Sequence, residues 1–428
     1  MPLALLVDDE TGILTTLAGV LADHGYDTLT TTSGEEAIEI YRRRRPDVVF
    51  LDVWLPDRDG LETLQILREI DPRAAVVMIS GHGTTTTAVK AIKMGAFEYL
   101  EKPVAYDQVI EAARGAVETR RAAAPASTPQ LAAAAGERRH EAAPHLRSLR
   151  RTATAQRTLG HSTVLYGLGL HSGGRTGMVL QPLPPDSGIH FHSLPSGESI
   201  PAHVAAVGDT EYATTLAASG ASVKTVEHLM SALHAAGVTN LLVKVHGEVP
   251  VLDGSSLEFC RTLEEIGVED QDRARLEFVV DRTYRVGDER KSLTLEPYDG
   301  LAVSYLLRYP PPIGEQSYEF VLSDFAAYRD QIAPARTFGF MRDLKMLNEL
   351  GLGSGGRLDN FILVGEDEVL NTALRFPDEF VRHKILDVIG DLYLLGYPLR
   401  GKVTARLTGH RDNIALLRQL VEQDAVVA

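Results

Sequence analysis

Residues 1–121 show two patterns of apolar residues, namely short continuous runs and residues spaced three to four positions apart. Short apolar runs predict buried strands at residues 3–7, 27–31, 48–51, 75–79 and 97–100. Between the runs, apolar residues recur every three to four positions, which predicts helices that include residues 13–24, 60–70 and 106–121. Strands that alternate with helices in this way predict an α/β domain with a doubly wound, five-stranded parallel sheet.

Residues 122–155 have a different composition, rich in alanine with interspersed arginine, proline and serine. Such a segment has too few large apolar side chains to fold alone, so it is predicted to be a flexible linker. From residue 156 onward, strands are followed by separate helices, which predicts an α+β region instead of a second doubly wound sheet. This region is predicted to form two sheet-plus-helix halves, residues 156–275 and 276–428.

Composition and charge narrow the class of protein. With 44% hydrophobic and 24% charged residues, the chain has the composition of an ordinary globular protein. Its formal net charge of −15 argues against nonspecific binding to nucleic acid. No apolar run is long enough to span a bilayer, and acidic residues end the first apolar run too early for a signal peptide. The single cysteine, Cys260, fits a reducing compartment, so a cytoplasmic location is expected.

Polar residues follow four of the predicted strands in the first domain. Asp8 and Asp9 end the first strand, Asp52 the third, Ser80 the fourth and Lys102 the fifth. Because the carboxyl ends of parallel strands meet at one edge of the sheet, these side chains are predicted to lie together. Three carboxylates there would repel one another without a divalent cation, and hard oxygen ligands suit Mg²⁺. A hydroxyl, an ammonium group and Mg²⁺ around one carboxylate make a site that can accept a phosphoryl group.

These residues make the first domain similar to the receiver domain of two-component response regulators, and to its nitrogen-regulator branch in particular. The resemblance rests on the pair Asp8/Asp9, the pattern Asp52-x-x-x-Pro56-x-x-Asp59-Gly60, Ser80 and Lys102. It implies that a sensor histidine kinase phosphorylates Asp52. It also implies that Asp9, Asp52 and the carbonyl of Trp54 hold Mg²⁺. A dimer formed through two receiver domains is a further possible arrangement. The switch residues that it implies are Asp8, Ser80, Tyr99 and Lys102. No ATPase phosphate loop follows, so the output domain differs from the one usual in that branch.

A second polar group lies in the helix predicted near residues 376–395. His383, Asp387 and Asp391 are spaced four residues apart, so they share one stripe of that helix among apolar neighbours. A buried histidine and buried carboxylates are costly unless they are paired or bound to metal, and a His/Asp pair one turn apart can bind zinc. A hydrogen bond on the helix surface is the ordinary alternative. A third zinc ligand must come from elsewhere, and His228, which follows Glu227, is the best candidate.

Together with longer motifs, these residues make residues 157–421 similar to the UDP-3-O-acyl-N-acetylglucosamine deacetylase family, LpxC, the zinc enzymes of lipid A synthesis. The motifs lie at residues 167–173, 225–229, 252–255, 335–342 and 376–391. The resemblance implies two α+β halves with the site between them. It also implies hydrolysis of the N-acetyl group of UDP-3-O-acyl-N-acetylglucosamine.

The resemblance implies a role for each matching residue. The zinc ligands would be His228, His383 and Asp387. The catalytic residues would be Glu227 as general base, His410 as the acid that protonates the amine, Asp391 as the group that orients it, and Thr337 at the oxyanion. The substrate contacts would be Lys384 near the phosphates, Phe338 at the sugar or uridine, and Met341 at the wall of the acyl-chain passage. The helix predicted at residues 341–350 can equally be plain core packing.

The two resemblances predict a bifunctional chain, in which phosphorylation of the receiver alters deacetylation. The flexibility of the predicted linker equally allows no coupling between the two domains. The alternative is a two-component signalling protein whose C-terminal half binds the nucleotide-lipid as a sensor with little turnover. A pure binder has no need of both Glu227 and His410, which argues for the enzyme.

Overall fold

The computed structural model describes residues 1–80, 90–102, 104, 106–122, 146–344, 346, 352–357 and 359–425. The chain forms two compact units, residues 1–145 and 146–428. Among the helices that the structure describes, none combines the length and the apolar character needed to cross a membrane.

The first unit has the predicted α/β fold. Its strands are β1 (Leu3–Val7), β2 (Asp27–Thr31), β3 (Val48–Asp52), β4 (Val76–Ser80) and β5 (Glu98–Glu101). Its helices with defined bounds are α1 (Thr11–Asp23), α2 (Gly34–Arg44), α3 (Gly60–Ile70) and α4 (Tyr106–Ala122). All strand pairs are parallel, in the order β2-β1-β3-β4-β5. Strands β3 and β4 are buried along their whole length, which is why they read as continuous apolar runs in the sequence.

The Asp-Gly pair after β3 fixes the loop that carries Asp52. The N–H of Gly60 donates to the carbonyl of Val53 at 2.8 Å. A Cβ atom on Gly60 would lie 2.0 Å from the carbonyl oxygen of Asp52, so only glycine fits there. Asp59 caps α3 by accepting the N–H of Leu61 at 2.7 Å. The motif therefore starts α3 directly beside the predicted phosphoacceptor.

The second unit combines mixed sheets with helices. Its strands are β6 (Leu149–Leu159), β7 (Thr163–Leu168), β8 (Arg175–Pro182), β9 (Ile189–Ser193), β10 (Glu198–Pro201), β11 (Val207–Asp209), β12 (Thr215–Ala218), β13 (Ala221–Val223), β14 (Leu241–Val245), β15 (Val268–Val279), β16 (Tyr284–Gly287), β17 (Ser292–Glu296), β18 (Leu301–Arg308), β19 (Glu315–Val321), β20 (Phe338–Phe340), β21 (Ile362–Val364) and β22 (Leu399–Arg406). Its α-helices with defined bounds are α5 (Glu227–Ala236), α6 (Leu257–Ile266), α7 (Phe325–Gln331), α8 (Glu379–Leu392) and α9 (His410–Asp424). Short 3-10 helices lie at Val204–Ala206, Met341–Asp343 and Tyr393–Leu395.

Two large sheets organise this unit, as the predicted α+β class requires. One has the strand order β10-β9-β14-β8-β7, and the other contains β16-β17-β22-β15-β6 with β18 and β19 joined through β22. One continuous hydrophobic core includes residues of both sheets and of helices α5, α8 and α9. Helices α5 and α8 pack against each other within it.

The predicted linker is too long at its C-terminal end. Strand β6 begins inside it, and Leu149 pairs with Phe278 of β15. Just before the strand, the N–H and hydroxyl of Ser148 donate to the two carboxylate oxygens of Asp424 at 2.9 and 2.8 Å. The exposed arginines of β6 make this segment look solvated, although its backbone is paired. The predicted boundary at residue 275 also falls inside β15, and residues 123–145 lie outside the described part of the chain.

Candidate functional site

The structure brings the three predicted zinc ligands together. His383 and Asp387 lie on the buried side of α8, and His228 reaches the same place from α5. The Nε2 atoms of His228 and His383 lie 3.8 and 3.5 Å from Oδ1 of Asp387. One possible ligand atom from each of the three residues lies within 4.8 Å of the others. The spacing that suggested a shared helical stripe therefore corresponds to a real cluster.

A close approach of α5 and α8 makes this cluster possible. A Cβ atom on Gly390 would lie 2.0 Å from the carbonyl oxygen of Glu227, so glycine is needed where the two helices meet. Thr225, two residues before α5 begins, has a φ of 59° and is not helical. Its hydroxyl instead donates to buried Glu248 at 3.0 Å.

The donor atoms of the cluster fit a metal cation. Nδ1 of His383 donates to the carbonyl of Ala335 at 3.1 Å, which leaves Nε2 with a free lone pair in the neutral ring. Oδ1 of Asp387 is buried and has no hydrogen-bond partner in the described part of the chain, which is costly for a carboxylate oxygen. Burial, with a contribution from His383, lowers the pKa of His228 to about 3, so this ring is neutral as a metal ligand must be.

Lys384 lies beside the same carboxylate. Its ammonium group donates to Oδ2 of Asp387 at 2.9 Å. Although burial disfavours charge on both groups, their attraction raises the pKa of Lys384 and holds the pKa of Asp387 well below its usual range. Asp387 is therefore ionised over the whole neutral range. The sequence suggested only a substrate contact for Lys384, and the contact with Asp387 is an additional one.

Glu227 and His410 lie close together next to the cluster. Nε2 of His410 lies 3.9 Å from Oε1 of Glu227 and 4.0 Å from Oδ2 of Asp387. Burial raises the pKa of Glu227 to about 8. Burial disfavours charge on His410, but the carboxylates of Asp391, Asp387 and Glu227 raise its pKa to about 10. The pair thus combines a carboxylate that can hold a proton near neutrality with a protonated imidazole.

Asp391 connects His410 to two residues that the sequence did not reveal. Its Oδ2 accepts hydrogen bonds from Nδ1 of His410 and from the side chain of Asn413, each at 2.8 Å. Its Oδ1 accepts the hydroxyl of Thr214 at 2.6 Å, and the N–H of Thr214 donates to Oε2 of Glu227 at 3.1 Å. Asn413 follows His410 by three residues on α9, a spacing that could have indicated it. Thr214 is distant along the chain from these residues, and no spacing rule points to it.

Thr337 lies in a segment whose backbone is bonded to Gly254. Its N–H donates to the carbonyl of Gly254 at 2.7 Å. Gly254 has a φ of 84°, and a Cβ atom there would lie 2.1 Å from the carbonyl oxygen of Asn360. The motif at residues 252–255 therefore positions the backbone of Thr337. Its predicted role at the oxyanion stays a prediction.

The two predicted apolar contacts differ in their surroundings. The ring of Phe338 lies edge to face with the ring of His383, with 6.1 Å between the ring centroids, and Nζ of Lys384 lies 5.6 Å from the centroid of the Phe338 ring. Met341 is 48% exposed and begins a 3-10 helix, Met341–Asp343, where the sequence predicted an α-helix. Residues 345 and 347–350 of that predicted helix lie outside the described residues.

In the first unit, Lys102 joins two predicted site residues. Its ammonium group lies 2.7 Å from Oδ2 of Asp8 and 3.0 Å from Oδ2 of Asp52. Burial raises the pKa of Asp8 to about 7, although Lys102 opposes this shift. Asp8, Asp9 and Glu10 place carboxylate oxygens within 4.8 Å of one another, as a metal site requires. The predicted Mg²⁺ ligands are Asp9, Asp52 and the carbonyl of Trp54, so this group shares only Asp9 with the predicted set.

The other receiver residues of interest differ in burial and bonding. Ser80 is buried at the end of β4, and its carbonyl accepts the N–H of Lys102 at 2.8 Å. The hydroxyl of Tyr99 is buried and has no hydrogen-bond partner among the described residues. Trp54, two residues after Asp52, has a side chain that is 64% exposed.

Comparison with known proteins assigns a family to each unit. Residues 156–422 match the family described as "UDP-3-O-acyl N-acetylglycosamine deacetylase", and residues 4–114 match "Response regulator receiver domain". A UDP-3-O-acyl-N-acetylglucosamine deacetylase from Chromobacterium violaceum is 42% identical over 274 residues, which cover 62% of this chain and 90% of that protein.

Two solved structures resemble the first unit. The receiver domain of NtrX from Brucella abortus is 44% identical and covers 27% of this chain and 98% of its own, with a TM-score of 0.27. A response regulator receiver domain protein from Clostridium thermocellum is 33% identical and covers 29% of this chain and 99% of its own, with a TM-score of 0.28.

Fold, site and family matches define a receiver domain followed by a deacetylase domain, and both predicted resemblances are confirmed. The chain belongs to the UDP-3-O-acyl N-acetylglycosamine deacetylase family, LpxC.

Proposed function

We propose that the second unit removes the N-acetyl group of UDP-3-O-acyl-N-acetylglucosamine with a zinc ion held by His228, His383 and Asp387, as a step of lipid A biosynthesis. The observation that carries this proposal is that Nε2 of His228 and of His383 both face Oδ1 of Asp387, which accepts no hydrogen bond from the described residues. Two imidazoles and one carboxylate are a donor set that suits catalytic zinc. When bound there, zinc supplies Lewis acidity that polarises the amide carbonyl and acidifies a water molecule.

Side chains of the protein carry out the proton transfers. Glu227 accepts the proton of the attacking water, and its raised pKa suits that task. His410 is held protonated by Asp391 and donates a proton to the amine as the C–N bond breaks. The hydroxyl of Thr337 contributes to binding of the oxyanion. The products are acetate and the free amine of the nucleotide sugar.

Three further residues are proposed to bind the substrate outside the reacting amide. Lys384 contributes positive charge near the phosphates, and Phe338 contacts the sugar or uridine. Met341, at the exposed start of its 3-10 helix, contacts the acyl chain. The C. violaceum relative carries the name of this substrate, which supports the same substrate class here.

The first unit is proposed to accept a phosphoryl group at Asp52 from a sensor histidine kinase. Mg²⁺ would be held by Asp9, Asp52 and the carbonyl of Trp54. The contacts of Lys102 with Asp8 and Asp52 support this, because a lysine at the acceptor offsets the charge of an incoming phosphoryl group. Phosphorylation is proposed to regulate deacetylation, with a receiver-mediated dimer as one route.

An acetate-release assay tests the deacetylase proposal. The full chain should release acetate from UDP-3-O-acyl-N-acetylglucosamine. Glu227→Ala should retain zinc and lose roughly 10²- to 10⁴-fold in rate, as expected for a general base. A zinc-loaded wild-type protein that binds the substrate without releasing acetate would instead indicate a nucleotide-lipid sensor.

A further inference from the structure

We propose that Thr214 is a positioning residue that fixes the carboxylates of Glu227 and Asp391 relative to each other. The inference rests on the proposed deacetylase function. It adds a residue that, among the described contacts, bonds none of the three metal ligands and acts through the carboxylates of Glu227 and Asp391.

All three polar groups of Thr214 are used within this site. Its N–H donates to Oε2 of Glu227 at 3.1 Å, and its hydroxyl donates to Oδ1 of Asp391 at 2.6 Å. Its carbonyl accepts the N–H of Val226, the residue before Glu227, at 3.3 Å. Thr214 is completely buried, so water cannot replace these bonds without rearrangement of the core. One residue therefore joins the start of α5 to the carboxylate of Asp391 on α8.

The hydroxyl determines which way Asp391 faces. Oδ2 of Asp391 accepts the N–H groups of His410 and Asn413, whereas Oδ1 accepts only the hydroxyl of Thr214 among the described contacts. With donors on both oxygens, the carboxylate cannot turn about its Cβ–Cγ bond. Without the hydroxyl, the buried Oδ1 lacks a hydrogen-bond donor, which is unfavourable. Rotation of the carboxylate away from His410 then becomes more favourable. The pairing that keeps His410 protonated and oriented would then weaken.

The backbone bonds of Thr214 act on the base. The bond to Oε2 of Glu227 leaves Oε1 as the oxygen that lies 3.9 Å from Nε2 of His410. Because this bond comes from the main chain, a side-chain substitution at Thr214 keeps it. A substitution that removes the hydroxyl therefore removes the hydrogen bond to Asp391 and leaves the hydrogen bond to Glu227 in place.

The test compares full-length wild type with Thr214→Val, Thr214→Ser and Thr215→Val. Valine keeps the shape of threonine and removes the donor, whereas serine keeps the donor. Thr215 is the matched control, since it is the same residue type next in the chain and bonds neither Glu227 nor Asp391 among the described contacts. Each protein is assayed for acetate release across pH, for zinc content and for melting temperature. Thr214→Ala is included in case valine prevents folding.

The expected result is a roughly 10- to 100-fold fall in kcat for Thr214→Val, the size of effect that a misplaced catalytic group produces. KM and zinc content should stay near the wild-type values, and the alkaline limb of the pH profile should move to lower pH. Thr214→Ser should restore most of kcat, and Thr215→Val should behave as wild type. An unchanged kcat in Thr214→Val, or a loss that serine does not restore, would overturn the proposal.

A second readout separates this proposal from the deacetylase proposal. The imidazole of His410 can be titrated by NMR in the same proteins, whether or not they turn over substrate. Its pKa should be lower in Thr214→Val than in wild type and close to wild type in Thr214→Ser. An unchanged titration would overturn the positioning role, whereas a wild-type protein without acetate release would overturn only the proposed function.

Discussion

Removal of the charge on Asp391 should displace the alkaline limb of the pH–rate profile. Asp391→Asn is suited to this because the new amide can keep the existing hydrogen bonds. Its oxygen can accept from His410 and Asn413, and its nitrogen can donate to the hydroxyl of Thr214, which rotates freely enough to accept. The substitution therefore changes charge with little change in shape.

The direction and size of the effect follow from the contacts of His410. Burial lowers the pKa of His410, and Asp391 is the largest of the influences that raise it to about 10. An opposite charge in direct contact shifts a pKa by about 1–3 units, so its loss should lower the pKa of His410 by that amount. In the proposed mechanism the protonated form of His410 is the active one, so activity should be lost as pH rises through this pKa. The alkaline limb should thus move down by about 1–3 pH units. A bound cation would lower the pKa of His410 in both wild type and Asp391→Asn. The quantity to compare is therefore the difference in the position of the alkaline limb between the two proteins.

The assay is kcat/KM for acetate release measured from pH 5.5 to 10.5 on wild type and Asp391→Asn. Asp412→Asn is the control, because Asp412 shares α9 with His410 but its carboxylate accepts the N–H of Gly409 and lies 2.7 Å from Nζ of Lys291. Its limb should stay in place. A uniform loss of rate in Asp391→Asn with an unmoved limb would refute the reasoning, because the titrating group would then not be His410.

Three further predictions concern the metal and the receiver. Purified protein should bind about one zinc ion per chain, and His383→Ala and Asp387→Ala should each lose it. Metal analysis that finds undiminished zinc in both variants would contradict the ligand assignment. Acetyl phosphate with Mg²⁺ should phosphorylate Asp52 alone, and incorporation that persists in Asp52→Ala by intact-mass measurement would count against the acceptor. Phosphorylation should change the affinity of the deacetylase for its substrate by roughly 5- to 150-fold, the usual range of allosteric coupling. Equal deacetylation kinetics for the phosphorylated chain, Asp52→Ala and a protein that starts at Leu146 would exclude regulation.

The sequence was most informative where local rules determine the structure. In the first unit, strands buried on both faces and amphipathic helices alternate, so the observed strand bounds differ from the predicted ones by one residue at most. The stripe of His383, Asp387 and Asp391 could be predicted because helical spacing alone places these side chains on one face.

Contacts between distant segments could not be predicted from the pattern. Thr214 and Asp391 are 177 residues apart, and their hydrogen bond depends on how α5 and α8 pack. The start of β6 was missed for the same reason, since Leu149 is ordered by pairing with Phe278 and the neighbouring arginines carry no apolar signal. The contact between Lys384 and Asp387 differs from these, because the two residues are three apart on one helix and helical spacing alone allows them to meet.

Metal dependence of acetate release tests the central claim most directly. The full chain is assayed as purified, after removal of metal with a chelator, and after addition of one equivalent of zinc, with His228→Ala as a parallel sample. Acetate release should stop without metal, return with zinc in the wild type and stay absent in His228→Ala. Undiminished acetate release from protein shown to be free of metal would contradict it.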